Sequence, residues 1–231
     1  MRFSIYLVLI VGILSSCSVA SDNNFNLSSL SYDLNSSQLG WGGDFADYKI
    51  KDSVLCDLKI ESAALPSNLS VNQKSIKISG TNWGDNLFMF LKKKVSGLKP
   101  NANYTVVFEV ELASDAPLGS AKGDSVFLKV GAVSQEPKAI KEGDYYRMNI
   151  NKGVGYAGGS DMVVIGTIGT SYNAQGYSLI QKSNDTNSSN PYILGHTNDK
   201  GELWLIIGTD STYRGFSSIY YTSVTVVISI S

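Results

Sequence analysis

The stretch Tyr104-Thr105-Val106-Val107-Phe108-Glu109-Val110-Glu111-Leu112 constrains the fold more than any other part of the chain. Tyr104, Val106, Phe108, Val110 and Leu112 fall on one side of an extended backbone. Thr105, Glu109 and Glu111 fall on the other, and this period of two is that of a half-buried strand. The same alternation returns at Val126, Leu128 and Val130. It returns again at Val224, Val226, Ile228 and Ile230, set against Ser223, Thr225 and Ser229. Continuous apolar runs at Leu87 to Leu91, Met162 to Ile165 and Leu203 to Ile207 read as central strands covered on both faces. Helical periodicity is almost absent, and clusters of Gly, Asn, Asp, Ser and Pro separate the runs. The expected fold class is therefore all-β, a single sandwich over residues 25–231, without an internal repeat or a domain linker.

Ahead of this region, Arg2 precedes an apolar run from Ile5 to Leu14 and then Leu14-Ser15-Ser16-Cys17. That layout is a secretory signal peptide, and ~10 apolar residues are too few to span a bilayer. The ending resembles the lipobox of bacterial lipoproteins. The resemblance implies that residues 1–17 are a lipoprotein signal and that Cys17 becomes the lipid-bearing mature N-terminus, an acyl membrane anchor. Ser18-Val19-Ala20 offers the alternative, an ordinary cleavage that discards Cys17. Both routes export the chain. Ser18 in place of Asp points, by analogy with enterobacterial sorting, to the outer membrane or cell surface; a secreted or periplasmic protein is the alternative. Residues 18–24 form a polar tether that reaches only ~25 Å when extended.

Charge and cysteine count exclude several functions. The 231 residues carry 19 Lys and Arg against 20 Asp and Glu, one His and two Cys. Losing Arg2 leaves 18 basic against 20 acidic residues, near −2, with no basic stripe for nucleic acid. Lys92-Lys93-Lys94 reads as a solvated or edge-protecting strand end. With Cys17 lipidated, Cys56 stands alone in an apolar run and reads as a small buried hydrophobe. His196 is the one histidine, so the usual zinc site lacks ligands, and nothing in the spacing pairs it with Cys56 as the base of a nucleophile.

Gly40-Trp41, Leu98-Lys99-Pro100-Asn101-Ala102-Asn103-Tyr104-Thr105-Val106 and Ile219-Tyr220-Tyr221-Thr222-Ser223-Val224 occur in an order that resembles galactose-binding-like jelly rolls. Many carbohydrate-binding modules are of this kind. At finer grain, four segments resemble a family of bacterial exported proteins and lipoproteins without established activity. They are Gly42-Gly43-Asp44-Phe45-Ala46-Asp47-Tyr48, residues 78–90, Gly123-Asp124-Ser125-Val126 and residues 201–210. The resemblance implies export and one jelly-roll domain. The chain departs from the family at Asp115 to Gly123, where a longer Gly-rich insert is usual.

The candidate site residues are aromatic and acidic. Trp83 and its neighbours Asp85 and Asn86 lie in a polar loop, and Tyr145 and Tyr146 follow Glu142-Gly143-Asp144. Rings flanked by carboxylates and carboxamides suit sugars, whose apolar faces stack on the ring while hydroxyls bond to the polar groups. The opposing view is that these rings merely cap the sandwich edges, while Trp41 and Trp204 are expected in the core. Asp44, Asp47 and Asp210 are candidate ligands for a structural Ca²⁺, as such folds often hold, although Asp is also an ordinary turn residue. Gly153-Val154-Gly155-Tyr156-Ala157-Gly158 matches the letters of a dinucleotide fingerprint. It opens no helix and reads as a flexible loop. Glu109 and Glu111 could serve a glycan hydrolase only if a cleft gathered them. The sequence therefore points to a non-catalytic module for a glycan or another cell-envelope ligand. The alternative is a structural or protein-interaction envelope lipoprotein.

Overall fold

Every inward position of the strongest alternating segment is buried: Tyr104, Val106, Phe108, Val110 and Leu112 expose 2% or less of their surface. The computed structural model describes residues 27–34, 40–69, 73–84, 86–185 and 192–231. The expected signal, the lipobox with Cys17 and the tether lie outside the described residues.

The chain runs through β1 (Leu27–Asp33), β2 (Gly42–Ala46), β3 (Tyr48–Lys49) and a 3-10 turn at Ile50–Asp52, then β4 (Lys59–Ala64) and β5 (Lys74–Asn82). Next come β6 (Leu87–Val95), β7 (Asn103–Ser114), a single helical turn α1 (Ala121–Ser125) and β8 (Val126–Val133). A small pair, β9 (Ala139–Glu142) and β10 (Tyr145–Met148), precedes β11 (Met162–Thr167), β12 (Ser178–Ser183) and β13 (Ile193–His196). The last two are β14 (Leu203–Ser211) and β15 (Gly215–Ile230).

One sheet of seven strands has the order β12-β7-β15-β5-β4, with β1 also on β15 and β13 also on β7. The facing sheet of five has the order β11-β8-β14-β6-β2. All pairings are antiparallel. This is the all-β sandwich expected from the alternating strands. Its core joins Val106, Phe108 and Val110 of one sheet to Val126, Leu128, Leu205 and Ile207 of the other. Each such side chain contributes roughly 1.5–3 kcal/mol by leaving water.

In β15 the inward residues change parity, from Ile219 and Tyr221 to Val224, Val226 and Ile228. The register against β7 shifts between Tyr221 and Ser223, so a bulge at Thr222 absorbs one residue and keeps both halves facing the core. The buried Thr222 hydroxyl donates to the Glu111 backbone oxygen (3.1 Å) and carboxylate (2.6 Å).

The five-stranded sheet has a second cover. Phe88, Phe90 and Ile206 point away from the main core, yet are fully buried beneath Ile150, Met162 and Met148. A three-stranded sheet, β3-β10-β9, forms part of that cover. Double burial accounts for the unbroken apolar runs in β6 and β14. Two expectations need correction. The run Met162 to Ile165 is the edge strand β11, whose first residue accepts a bond from the preceding loop, Gly159 N–H to the Met162 oxygen at 2.9 Å. Trp41 is in the core, but Trp204 is half-buried, with the ammonium groups of Lys92 and Lys94 5.6 and 6.0 Å from its ring centre. Among the described residues no helix is long and apolar enough to cross a membrane.

Candidate functional site

Where β5 ends, Asn82 fixes the chain's direction. Its Nδ2 donates to the Ser211 oxygen (2.8 Å) and the Tyr213 oxygen (3.0 Å), and its Oδ1 accepts from the Gly84 backbone N–H (3.1 Å). The next residue, Trp83, is 58% exposed, an unusual position for an indole. Its ring is nevertheless held, because Nε1 donates to the Leu55 oxygen at 2.7 Å. A large apolar face is therefore presented to solvent in one orientation.

Trp83 borders a cleft of about 240 Å3 shared with Asn86, Tyr145, Arg147, Asp47 and Arg214. Four segments distant in sequence meet here: the β5–β6 turn, the β2–β3 corner with the turn that follows it, β10, and the turn before β15 that carries Arg214. The corner is tight, with Asp47 in the left-handed region at φ 63° and its N–H donating to the Tyr146 oxygen at 2.7 Å. Asp and Asn tolerate that conformation better than most residues. Cys56 lines the floor of the cleft and is buried. Burial, helped by the charge of Asp52, pushes its thiol pKa up, away from the reactive thiolate.

Of the expected ligand-binding residues, Trp83, Asn86 and Tyr145 come together in this cleft. Asp85 lies outside the described residues. Tyr146 points elsewhere, its ring packing on Tyr48 with centroids 5.3 Å apart, so it supports the wall. Tyr145 is also more than a stacking ring. The Arg147 guanidinium carbon lies 4.1 Å from its centre, and the Lys49 Nζ 5.9 Å from it. A second cleft, about 570 Å3, continues past Tyr145 and Lys49 along Ile50, Lys51, Lys141 and Asp144. Glu109, Glu111 and Asp124 line neither cleft. His196, hydrogen-bonded to Asn103 at 2.8 Å, also lies outside both.

The calcium set Asp44, Asp47 and Asp210 does not assemble. Asp47 and Asp210 do converge, but on the Lys152 ammonium, 2.9 and 2.8 Å from their oxygens. Lys129 holds Asp210 from another side at 2.8 Å. Asp44 turns to backbone, accepting from Phe45 N–H (2.8 Å) and Ala139 N–H (3.3 Å). A divalent ion would have to displace two ammonium groups from these carboxylates. Among the described residues no group of three or more His, Cys, Asp or Glu side chains is disposed to hold a metal.

The sequence did not mark Arg147, Lys49 and Arg214 as site residues. Nor did it mark Gly153 to Gly159 as structured. That loop is tied down: Gly155 N–H donates to Asp210 Oδ2 at 3.0 Å, and Lys129 Nζ donates to the Ala157 oxygen at 2.9 Å. The only advance signal was the glycines, with Gly153 and Gly155 at φ 71° and 53°.

No family model matches the chain, and no curated protein matches it. Several solved structures are similar to it over most of its length. The K3 cleaved adhesin domain of Lys-gingipain from Porphyromonas gingivalis is 12% identical, with 87% of this chain and 98% of that one covered and a TM-score of 0.41. A family 11 carbohydrate-binding module from Clostridium thermocellum, solved with a β-1,3-1,4-mixed-linked tetrasaccharide, is 11% identical (86% and 94% covered, TM-score 0.40). The enzymatically active domain of tailspike protein 4 from bacteriophage CBA120 is 8% identical with a TM-score of 0.36. There, 84% of this chain and 20% of that one are covered.

Proposed function

We propose that this chain is an exported, non-catalytic glycan-binding module, held at a bacterial membrane by a lipid on Cys17, that takes a sugar chain in the cleft beside Trp83. The observation carrying this reading is the Trp83 indole, exposed yet fixed by its bond to Leu55, with Asn86 and Tyr145 in the same cleft. A ring already held in place loses little freedom when a sugar stacks on it. The carboxamide of Asn86 supplies both donors and an acceptor for hydroxyls.

The test is a glycan array probed with the full chain beside Trp83→Ala. Saturable binding that the substitution abolishes supports the reading, and an array without any bound glycan overturns it. Anchoring is tested separately by palmitate labelling in a bacterial host. Label lost in Cys17→Ala supports lipidation, whereas an unlabelled chain starting at Ser21 means ordinary cleavage.

A second reading, a protein-interaction lipoprotein, is favoured by a different surface. β12 and β13 form one edge of the seven-stranded sheet, and Leu179, Tyr192 and Leu194 on or beside them are exposed. Exposed strand edges accept an added strand from a partner.

A further inference from the structure

We infer that the sugar held beside Trp83 carries a methyl group that reaches the rim of the cleft, as a 6-deoxy or an N-acetyl sugar does; this rests on the glycan-binding reading above. The turn after the 3-10 segment contains the apolar run Val54-Leu55-Cys56, and of these three only Cys56 is buried. Val54 is 88% exposed, more than any other large apolar side chain among the described residues, and Leu55 is 58% exposed. The turn is closed by backbone bonds, from Cys56 N–H to the Asp52 oxygen (3.0 Å) and from Asp57 N–H to the Val54 oxygen (3.4 Å). Leu55 itself supplies the oxygen that accepts from Trp83 Nε1, so its backbone lies at that edge of the indole. Thr81 N–H donates to the Cys56 oxygen at 2.7 Å, and Phe216, also exposed, is paired with Thr81 across β15 and β5. Four large apolar side chains from three segments thus gather where Trp83 stands. A lone exposed apolar residue is ordinary, whereas an aliphatic pair tied to an exposed indole marks a contact surface.

The chemistry of that surface selects among sugars. The indole offers a face on which any sugar ring can stack. The side chains of Val54 and Leu55 have neither a ring nor a polar atom. A hydroxyl set down on them gives up its water without gaining a partner, while a methyl group gains by leaving water. Leu55 and Val54 do not line the cleft that Trp83 borders, so they meet only a group that projects beyond the stacked ring. The C6 methyl of a deoxy sugar and the methyl of an acetamide both project in this way. The bond from Trp83 to Leu55 holds the aromatic platform and the aliphatic step in one arrangement, so that a ligand meets both at once.

The test is titration of the full chain, followed by NMR of the ligand, with three matched pairs: L-rhamnose and L-mannose, L-fucose and L-galactose, chitotriose and cellotriose. The first two pairs differ by one oxygen at C6 and the third by the acetamide at C2, which tells a deoxy sugar from an acetylated one. In at least one pair the methyl-bearing member is expected to bind about fourfold tighter, the value of one buried methyl group. In Leu55→Ser, which keeps the backbone oxygen that holds Trp83, the two members should bind alike; Val54→Ser serves if the first variant is unstable. Trp83→Ala removes binding of both members. Equal binding within every pair, a preference that survives both serine variants, or failure of all six sugars while the array shows a bound glycan overturns the inference and leaves the glycan module intact. An array without any bound glycan overturns both.

Discussion

The Lys129 ammonium and the Asp210 carboxylate meet 2.8 Å apart with neither side chain exposed to solvent. They stand on neighbouring strands, β8 and β14, on the sheet face turned away from the main core. Lys129 also donates to the Lys152 oxygen (3.0 Å) and the Ala157 oxygen (2.9 Å), so each of its three N–H bonds has a partner. Burial pushes its pKa down, and the charge of Asp210 opposes that shift. Lys152 then carries the network outward to Asp47 in the cleft wall. The wall that holds Arg147 and Tyr145 is thereby braced from inside the protein.

Removing the carboxylate is expected to harm the fold more than removing one lysine. Asp210→Asn leaves Lys129 without a counter-ion in a dry site and should cost roughly 3–5 kcal/mol in urea unfolding. Lys129→Met keeps the Asp210–Lys152 pair and should cost less. The reverse order would show that the network is not organised around Asp210.

Tyr221 carries a different liability. Its ring is fully buried, its hydroxyl has no hydrogen-bond partner, and burial pushes the phenol's pKa above 10.0. The neutral phenol is the form the fold accepts. Its contribution is complete below the unfolded value of 10.0 and is lost as pH rises through that value toward the folded one. Burial likewise pushes Tyr48 up to about 12. Tyr221→Phe should match or exceed the native Tm near neutrality, since it removes an unmade hydrogen bond, and should flatten the alkaline fall in Tm. An unchanged alkaline fall would assign that fall to other groups.

Gly208 sits on β14 where the stacked rings of Phe88 and Phe90, 5.3 Å apart, cross it. A Cβ there would lie 2.5 Å from Phe88 Cζ and 2.9 Å from Phe90 Cβ, and both rings are wholly buried. Gly208→Ala should therefore cost about 1–3 kcal/mol by overpacking. Adding Phe88→Leu should restore part of the loss, and strict additivity in calorimetric Tm would count against the steric cause.

Trp83→Phe separates ring from tether. It keeps an aromatic face but loses the bond to the Leu55 oxygen. Glycan affinity should fall between wild type and Trp83→Ala, with Tm almost unmoved because the side chain is largely exposed. Equal affinity of Phe and Trp would mean that fixing the ring contributes nothing.

The sandwich was legible because its strands announce their faces. Tyr104 to Leu112 alternates as it packs, and the unbroken run Leu203 to Ile207 signalled a sheet covered twice. Exposed Trp83 was legible from its polar neighbours, and Cys56 from its apolar ones. Lys129 was not, because between Leu128 and Val130 it reads as an ordinary outward residue. Only the second cover, assembled from distant segments, makes that outer face dry. Arg147 was hidden for a similar reason, since its role depends on lying over Tyr145 and facing segments about one hundred and sixty residues apart. Asp47 and Asp210, offered with Asp44 as calcium ligands, instead share the ammonium of Lys152, a partner that no spacing of carboxylates reveals.

β15 lies between β5 and β7, pairs with β1 as well, and is 16 residues long. It also follows every other described strand in the chain. During synthesis the seven-stranded sheet thus waits for its central member, and the β4–β5 pair, the β7 group with β12 and β13, and β1 can join one another only once those residues emerge from the ribosome. The last strand therefore closes the sheet in one step, joining three partners at once.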